Sequence, residues 1–103
     1  MDNVRLLRFR TDDVELAVLE GELDSLSANA VRTDLLECAR SGGTVHLDIA
    51  GLWFCDSSGL RLLFEVSTTA RECGTDLWLE KPTPTLRTLL DLVDARKVVN
   101  ISS

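Results

Sequence analysis

Residues 45–60 read VHLDIAGLWFCDSSGL, and this stretch decides the fold. Apolar residues alternate over residues 45–49, which predicts a strand. Asp56-Ser57-Ser58-Gly59 comes next, and apolar residues then recur at helical spacing as far as about Glu72. We therefore predict a strand, a turn and a long helix that begins just after the serine pair. Units of this kind build sheets with parallel strands.

The pattern continues toward the N-terminus. Residues 4–9 and 14–19 each read as a short strand, and the turn signal Thr11-Asp12-Asp13 between them predicts an antiparallel hairpin. Ser27 is the predicted N-cap of a first helix, which ends at Ser41-Gly42-Gly43. The apolar stripe predicted for this helix consists of Ala28, Val31, Leu35 and Cys38.

The pattern also continues toward the C-terminus. Residues 77–79 predict a fourth strand, residues 98–101 predict the last one, and Thr83-Pro84 between them predicts the start of a helix. The buried stripe predicted for this helix consists of Leu86, Leu89, Leu90 and Val93. The predicted fold class is α/β, with a single domain over residues 1–103. Its mixed, mostly parallel sheet has about four or five strands, an antiparallel N-terminal strand, and about three helices packed on it.

The composition is that of a small globular domain. The chain has 103 residues, of which 45% are hydrophobic and 27% are charged, and this is enough apolar sequence for a core. The net charge is −6 and there is no basic run, which argues against a nucleic-acid partner. The N-terminus does not read as a signal peptide, and no stretch reaches the roughly 18 apolar residues of a membrane span. We therefore expect a cytoplasmic protein that does not insert into a membrane.

The three cysteines, Cys38, Cys55 and Cys73, show neither CxxC nor Cys/His spacing. Their odd number and this spacing argue against a disulfide framework and against a zinc site. We interpret all three as small buried hydrophobic residues. We expect no metal and no cofactor.

Two acidic segments follow predicted strands. Glu22 and Asp24 come after the second strand, and Asp56-Ser57-Ser58 come after the third. Functional sites of α/β sheets gather at the carboxyl ends of strands, so these segments are neighbours if the two strands are parallel. Two interpretations of this second segment stay open: Asp56, Ser57 and Ser58 cap the helix, or one hydroxyl caps it while the other points to solvent and carries a phosphate that the helix dipole accommodates. Such a phosphate would have acidic neighbours and no arginine close in sequence to neutralise it.

The helix after the serine pair has an apolar face toward the core and two further apolar residues at the edge of this face. At about 100° per residue, the face that points to the core consists of Gly59, Leu62, Leu63, Val66, Ala70 and Cys73. Leu60 and Phe64 flank this face, and Arg61 lies on the charged side opposite. Leu60 and Phe64 therefore form either a partly exposed ridge for a partner or part of the packing against neighbouring elements.

The sequence shows no enzyme signature. His46 is the single histidine, lies in the middle of a predicted strand, and is interpreted as a half-buried residue and not as a base. There is no GxSxG elbow, no P-loop and no GxGxxG. Trp53 and Trp78 are interpreted as packing residues. A thiol- or serine-dependent catalyst that uses Cys55 or Ser57 stays a minor hypothesis, because it lacks a base.

Three motifs in order along the chain resemble the STAS domains of bacterial anti-sigma factor antagonists. They are Gly21-Glu22-Leu23-Asp24, then Leu47-Asp48 leading to Asp56-Ser57-Ser58-Gly59-Leu60, and then residues 84–101. The resemblance implies partner switching. The unmodified antagonist binds an anti-sigma factor that is also a serine kinase, which frees a sigma factor to direct transcription. Phosphorylation by that kinase ends the binding, and a serine phosphatase restores it.

Carried over by position, the resemblance makes Ser57 the phosphorylation site, with Asp24, Asp56, Ser58 and Gly59 as its neighbours. The partner-binding residues that it implies are Glu22, Asp24, Ser57, Ser58, Leu60, Arg61 and Phe64. It implies no catalytic residue, and ATP belongs to the kinase and not to this chain.

A few departures and one alternative accompany the resemblance. Cys55 stands where a larger apolar residue is usual, and Leu26 and Ser27 are acceptable variants at the start of the first helix. Asp94-Ala95 stands where many relatives have a glycine before the last strand, which leaves that turn open. The alternative function is a non-switching STAS scaffold subunit of a transporter, a lipid-trafficking ATPase or a stress-signalling complex. In that case Ser57 is only a helix cap.

Overall fold

The computed structural model describes residues 3–95 and 98–102. Nine elements follow one another within these residues. They are β1 (Val4–Thr11), β2 (Val14–Leu23), α1 (Ser27–Ala39), β3 (Thr44–Asp48), β4 (Leu52–Cys55), α2 (Ser57–Glu72), β5 (Asp76–Glu80), α3 (Pro84–Leu92) and β6 (Asn100–Ser102). The predicted order of strands and helices is confirmed, with β4 as one additional strand.

The strands of the described residues form one mixed sheet. Its order is β1-β2-β3-β5-β6, and β4 pairs with β2 beside this path. β1 and β2 are antiparallel, whereas every other pair is parallel. The parallel pairs β2–β3, β3–β5 and β5–β6 are each joined through a helix, as parallel neighbours require. The α/β fold with a mostly parallel sheet and an antiparallel N-terminal strand is therefore confirmed.

β2 is long enough to pair with two successive strands along the edge that faces away from β1. Its first half pairs with β3, and its last residues pair with β4 in the register Leu23↔Cys55. β4 raises the number of strands from the predicted four or five to six in the described residues. Leu52 is buried while Trp53 and Phe54 are both exposed, so these residues lack the alternation by which strands are predicted.

Gly21 lets the N-terminal segment lie close to the end of β2. Its φ is 105°, a conformation that favours glycine. A Cβ at this position would lie 2.0 Å from the carbonyl oxygen of Asn3, and that same oxygen accepts a hydrogen bond from the amide of Glu22 at 2.7 Å. The glycine of the Gly-Glu-Leu-Asp motif is therefore needed for backbone geometry.

The core lies between one face of the sheet and the helices. Inward-facing strand residues such as Leu19, Leu47 and Leu79 are almost completely buried. Leu35 of α1 and Leu63 of α2 pack into the same cluster. Burial of a leucine side chain stabilises a fold by roughly 1.5–3 kcal/mol. This cluster therefore holds both helices against the sheet and fixes where α2 begins.

The opposite face of the sheet is largely exposed in the described part of the chain. Leu7, Phe9 and Leu16 point to this side and are exposed. His46 is the register partner of Leu16, is half-buried, and lies 2.7 Å through its Nδ1 from Oε2 of Glu80. His46 is thus a half-buried strand residue, as predicted, and lies on the side of the sheet away from the core.

The start of α3 is as predicted, but its apolar stripe is shorter. Oγ1 of Thr83 accepts a hydrogen bond from the amide of Leu86 at 3.2 Å, and Pro84 is the first helical residue. Leu86 and Leu90 are buried. Val93 follows the last helical residue and is exposed, so its predicted burial is wrong.

The turn after α3 accommodates the departure at Asp94-Ala95. Asp94 has a φ of 55°, which is the left-handed conformation that a glycine adopts easily and an aspartate tolerates. The absence of glycine therefore does not prevent the chain from turning there.

α2 buries the predicted face except at its end. Its buried residues include Gly59, Leu62, Leu63, Val66 and Ala70. Cys73 is exposed because it follows the last helical residue, so its predicted burial is wrong, whereas Cys38 is buried and Cys55 is half-buried.

None of the helices in the described ranges combines the length and the apolar character needed to cross a bilayer.

Candidate functional site

The ends of β2 and β4 lie side by side and bring the two acidic segments together. Leu23 and Cys55 are register partners in this parallel pair. The amide of Asp56 donates a hydrogen bond to the carbonyl oxygen of Leu23 at 3.1 Å. The structure therefore makes neighbours of the segments that begin at Asp24 and at Asp56. The strand before Asp56 is β4 and not the predicted third strand, because that strand ends at Asp48.

Gly59 allows the first turn of α2 to lie directly against the end of β2. A Cβ at this position would lie 2.4 Å from the carbonyl oxygen of Leu23 and 2.9 Å from Sγ of Cys55. Both distances are too short for any side chain larger than hydrogen. The glycine of the Asp-Ser-Ser-Gly motif therefore sets the position of the helix start, and with it that of the serines.

Asp56 is the N-cap of α2. Its Oδ1 accepts hydrogen bonds from the amides of Ser58 at 2.9 Å and Gly59 at 3.0 Å. Two of the amides that a helix start leaves unpaired are thereby satisfied by one carboxylate. The interpretation in which residues of the Asp56-Ser57-Ser58 segment cap this helix is therefore confirmed for Asp56, whereas neither serine hydroxyl makes a capping bond in the described residues.

Ser57 is the first residue of α2 and is exposed. Its hydroxyl makes no hydrogen bond to any residue in 3–95 or 98–102. Ser58 is half-buried beside it. Neither hydroxyl of the serine pair has a hydrogen-bond partner in the part of the chain that the structure describes, and Ser57 is the more exposed of the two.

Asp24 accepts hydrogen bonds from the amides at the start of α1, which is the capping role that was predicted for Ser27. The N-cap position of α1 is Leu26, which makes no side-chain capping bond, and Ser27 is a buried helical residue. Oδ1 of Asp24 accepts hydrogen bonds from the amides of Leu26 at 3.0 Å and Ser27 at 2.9 Å. The amide of Ser27, followed by its hydroxyl, lowers the pKa of the Asp24 carboxyl. The hydroxyl of Ser27 lies within hydrogen-bond distance of both the carbonyl oxygen of Glu22, at 2.7 Å, and Oδ1 of Asp24, at 3.0 Å, and so ties the helix to the end of β2.

A shallow groove of about 210 Å³ runs between the first turns of α1 and α2. Ser58 and Arg61 line it on α2, and Arg32 lines it on α1. Arg32 crosses the groove to Glu65, with Nε and Oε1 3.0 Å apart. Arg61 is exposed and has no hydrogen-bond or ion-pair partner in the described residues.

Arg61 corrects one expectation about the serine pair. We expected no arginine close enough in sequence to neutralise a phosphate on Ser57, but Arg61 lies four residues further along the same helix. Positions i and i+4 of a helix are neighbours on its surface. A guanidinium group is therefore within one turn of the candidate phosphorylation site.

Leu60 and Phe64 are half-buried and pack against the core. Their side chains are therefore partly covered, and only the outer edges of Leu60 and Phe64 are exposed as the expected apolar ridge. The large exposed apolar residues near the site are instead Leu26, Trp53 and Phe54, which are 80%, 65% and 45% exposed. We call these three residues the apolar rim.

The apolar rim was missed because its residues show no periodicity. Leu26 lies in the loop between β2 and α1, and Phe54 is the register partner of Glu22 in β4. Trp53 was interpreted as a core or rim packing residue, and its exposure excludes a place in the core. The adjacent aromatic residues Trp53 and Phe54, separated from the Asp-Ser-Ser-Gly motif by Cys55, were the available signal.

Cys55 does not have the properties of a catalytic thiol. Burial, with a smaller contribution from the charge of Asp56, raises the pKa of the Cys55 thiol to about 12. The thiolate is the reactive form of cysteine, so a thiol with so high a pKa is a poor nucleophile at neutral pH. This finding weighs against the hypothesis of a thiol-dependent catalyst.

The chain matches a protein-family model described as "Mlab, STAS domain" over residues 7–100. Comparison with curated proteins gives no match. An anti-sigma factor antagonist from Mycobacterium paratuberculosis has the same fold, with a TM-score of 0.79, 21% sequence identity, and coverage of 95% of this chain and 84% of that chain.

Two other solved structures contain the same fold, one in a phosphorylated protein and one as part of a transporter. The Bacillus cell fate determinant SpoIIAA in its phosphorylated form has a TM-score of 0.72 and 20% identity, with coverage of 96% of this chain and 92% of that chain. The murine anion transporter Slc26a9 has a TM-score of 0.72 and 16% identity, with coverage of 100% of this chain and 21% of that chain. Because the family model spans almost the entire sequence, the chain belongs to the STAS domain family.

Proposed function

We propose that the chain is an anti-sigma factor antagonist that works by partner switching. In its unphosphorylated form it binds an anti-sigma factor with serine kinase activity, and a sigma factor is released. Phosphorylation of Ser57 by that kinase ends the binding, and a serine phosphatase restores it. The chain acts in the cytoplasm as a single-domain binding module, and the chemistry belongs to its partners.

The observation that carries this proposal is the state of Ser57. The side chain is exposed, and its hydroxyl has no hydrogen-bond partner in the described residues. Asp56 already caps the helix, so a modification of Ser57 leaves the cap intact. A phosphate there also meets the positive end of the helix dipole. The fold is therefore suited to carry the modification without unfolding.

The phosphorylation step places the new bond on Oγ of Ser57. Oγ attacks the γ-phosphorus of ATP held by the kinase, the bond from that phosphorus to the ADP oxygen breaks, and ADP leaves. The hydroxyl proton passes to a base of the kinase. The phosphatase reverses the modification by hydrolysis, in which water supplies the oxygen of the released phosphate.

The proposed docking surface surrounds Ser57. It comprises Glu22, Asp24, Ser57, Ser58, Leu60, Arg61 and Phe64, and we add the apolar rim of Leu26, Trp53 and Phe54. Exposed apolar side chains of this size beside polar groups are typical of protein interaction sites. A phosphate adds a charge of about −1.5 to −2 within such a surface. The cost of desolvating this charge when a partner covers the surface then weakens binding.

The comparisons support the proposal at the level of family and fold. The chain belongs to the STAS domain family and has the fold of named anti-sigma factor antagonists. One of these, SpoIIAA, has been solved in a phosphorylated form.

The test is phosphate transfer in a purified system. The chain, ATP and a candidate anti-sigma kinase are incubated, and intact-mass analysis counts the phosphates on the wild type, Ser57→Ala and Ser58→Ala. We expect one phosphate on the wild type and on Ser58→Ala, and none on Ser57→Ala. A phosphate on Ser57→Ala would show that the site assignment is wrong.

Binding is the second half of the test. We expect Ser57→Ala to bind the kinase as the wild type does, and Ser57→Asp to bind at least about tenfold more weakly, which corresponds to about 1.4 kcal/mol. Thr68→Asp is the matched control, because Thr68 is exposed about three turns further along α2. Equal weakening by both aspartates would indicate an effect of net charge and not of the site.

A second candidate function is a non-switching scaffold subunit. Two observations favour it: the family model is named for Mlab, and a part of an anion transporter has the same fold. In this function the partner is a transporter or another assembly, and Ser57 is not modified. Purification with partners separates the two, since the scaffold predicts equal recovery of the partner with wild type, Ser57→Ala and Ser57→Asp.

A further inference from the structure

We propose that Arg61 binds the phosphate on Ser57, so that phosphorylation also withdraws this arginine from the docking surface. The proposal rests on the proposed function, because it takes Ser57 to be the phosphorylated residue. It adds a second effect to the switch. The kinase-type partner loses both an uncharged hydroxyl and a free guanidinium group.

Helix geometry places the two side chains within reach of each other. Ser57 and Arg61 are the first and fifth residues of α2. Side chains at i and i+4 lie on the same face, and each leans toward the N-terminus of its helix. The long side chain of Arg61 therefore extends back over the first turn, where the phosphate would project.

Arg61 is available for this role because its alternative partner is occupied. Glu65 lies four residues after Arg61 on α2 and would be its usual ion-pair partner. Glu65 is instead bound by Arg32 of α1, whose guanidinium approaches both of its carboxylate oxygens. Arg61 is left exposed and unpaired in the described residues, on the groove that it shares with Ser58.

The other charged side chains around the start of α2 do not neutralise the negative charge of a phosphate on Ser57. Asp24 and Asp56 each use one carboxylate oxygen on backbone amides, and both are negative. Glu22 adds a further negative charge at the end of β2. The Arg32–Glu65 pair across the groove is neutral as a unit. Arg61 is therefore the cation in the described residues that can neutralise the phosphate at short range.

The experiment measures the phosphate itself. Phosphoserine is placed at position 57 during translation, and phosphorus NMR follows its titration in the otherwise wild-type chain and in Arg61→Gln, Arg61→Lys and Arg40→Gln. Arg40 is exposed at the far end of α1 and serves as the matched control. A bound guanidinium favours the dianion. We therefore expect the second phosphate pKa to rise by roughly 0.2–0.4 in Arg61→Gln.

The controls make the result specific. We expect no change in Arg40→Gln, a value near that of the wild type in Arg61→Lys, and loss of the difference at about 1 M salt, where surface ion pairs are screened. The same phosphate pKa in the wild type and in Arg61→Gln would overturn the proposal. Thermal unfolding gives an independent readout, because phosphorylation should lower the Tm more in Arg61→Gln than in the wild type.

This experiment is separate from the test of the proposed function, because translation supplies the phosphoserine and no kinase is needed. If Arg61 lowers the phosphate pKa but no anti-sigma kinase modifies Ser57, then the proposed function fails alone. If a kinase modifies Ser57 but Arg61→Gln has no effect on the phosphate pKa, then the role of Arg61 fails alone.

Discussion

The α-carbon of Gly59 lies so close to the carbonyl of Leu23 that a Cβ would come within 2.4 Å of its oxygen. This contact joins the first turn of α2 to the end of β2, where the two acidic segments meet. It requires that the residue after the serine pair have no side chain. The position of the Ser57 hydroxyl thus depends on a glycine two residues away.

Gly59→Ala should destabilise the protein even though alanine is the better helix former. A helical glycine-to-alanine change gains up to about 1 kcal/mol, but overpacking costs about 1–3 kcal/mol, and here the obstruction is backbone. We expect a net loss in the free energy of unfolding, measured with urea. Thr68→Ala, at an exposed position of the same helix, is the control and should be neutral or slightly stabilising. A gain in stability for Gly59→Ala would contradict the close packing.

Asp56→Ala should remove the cap of α2. Its carboxylate accepts bonds from two amides, and loss of such a cap costs about 0.5–2 kcal/mol. Asp56→Asn should retain most of the stability, since asparagine is an equally good cap. Ser57→Ala should leave the free energy of unfolding unchanged within about 0.5 kcal/mol. If Ser57→Ala costs as much as Asp56→Ala in the same denaturation assay, then the serine has a capping role after all.

Asp24 should make stability depend on pH in the acid range. Its folded-state pKa is lowered by the amide and hydroxyl of Ser27. A lowered pKa stabilises the fold fully above the unfolded-state value of about 3.9, and this contribution is lost as the pH falls through the folded-state value. We expect the wild type to exceed Asp24→Asn in stability at pH 7, with a gap that narrows as the pH falls below about 3.9. Urea denaturation across this range measures it, and a gap independent of pH would exclude the ionised carboxylate as its source.

Trp53→Ser should weaken partner binding without weakening the fold. Trp53 is 65% exposed, so its loss removes little buried surface. Exposed tryptophans at interfaces are common sites of large binding energy, and a loss of about tenfold or more in affinity is expected. Leu92→Ser is the control, since Leu92 is even more exposed but ends α3. Calorimetry with the anti-sigma kinase compares them, and equal affinities for Trp53→Ser and the wild type would remove Trp53 from the docking surface.

The parts of the fold that sequence reasoning predicted correctly have long or chemically specific patterns. The α2 stripe repeats over 16 residues, and Thr83-Pro84 satisfies two helix-start preferences at once. The parts it missed depend on neighbours that are distant in sequence. β4 has four residues and becomes a strand only because the last residues of β2 extend past β3 to pair with it.

The candidate site likewise has features that the sequence predicted correctly and features that depend on residues distant in sequence. The juxtaposition of the Asp24 and Asp56 segments was expected from parallel strands, and the register of Leu23 and Cys55 produces it. The N-cap prediction for Ser27 was wrong because Asp24, three residues before it, accepts the amides instead. In the Asp56-Ser57-Ser58 segment the cap is Asp56 and not a serine hydroxyl. The free state of Arg61 depends on an ion pair between two helices, which no local pattern reports.

The attachment of β4 has a consequence for how such a protein can diversify. In the described residues β4 is hydrogen-bonded to β2 alone, while the ladder through β3, β5 and β6 runs beside it. Substitutions at the exposed residues Trp53 and Phe54 therefore change the proposed docking surface while most of the architecture stays untouched. A new partner can be acquired by changes in a peripheral strand of four residues, with the helix start and its hydroxyl kept in place.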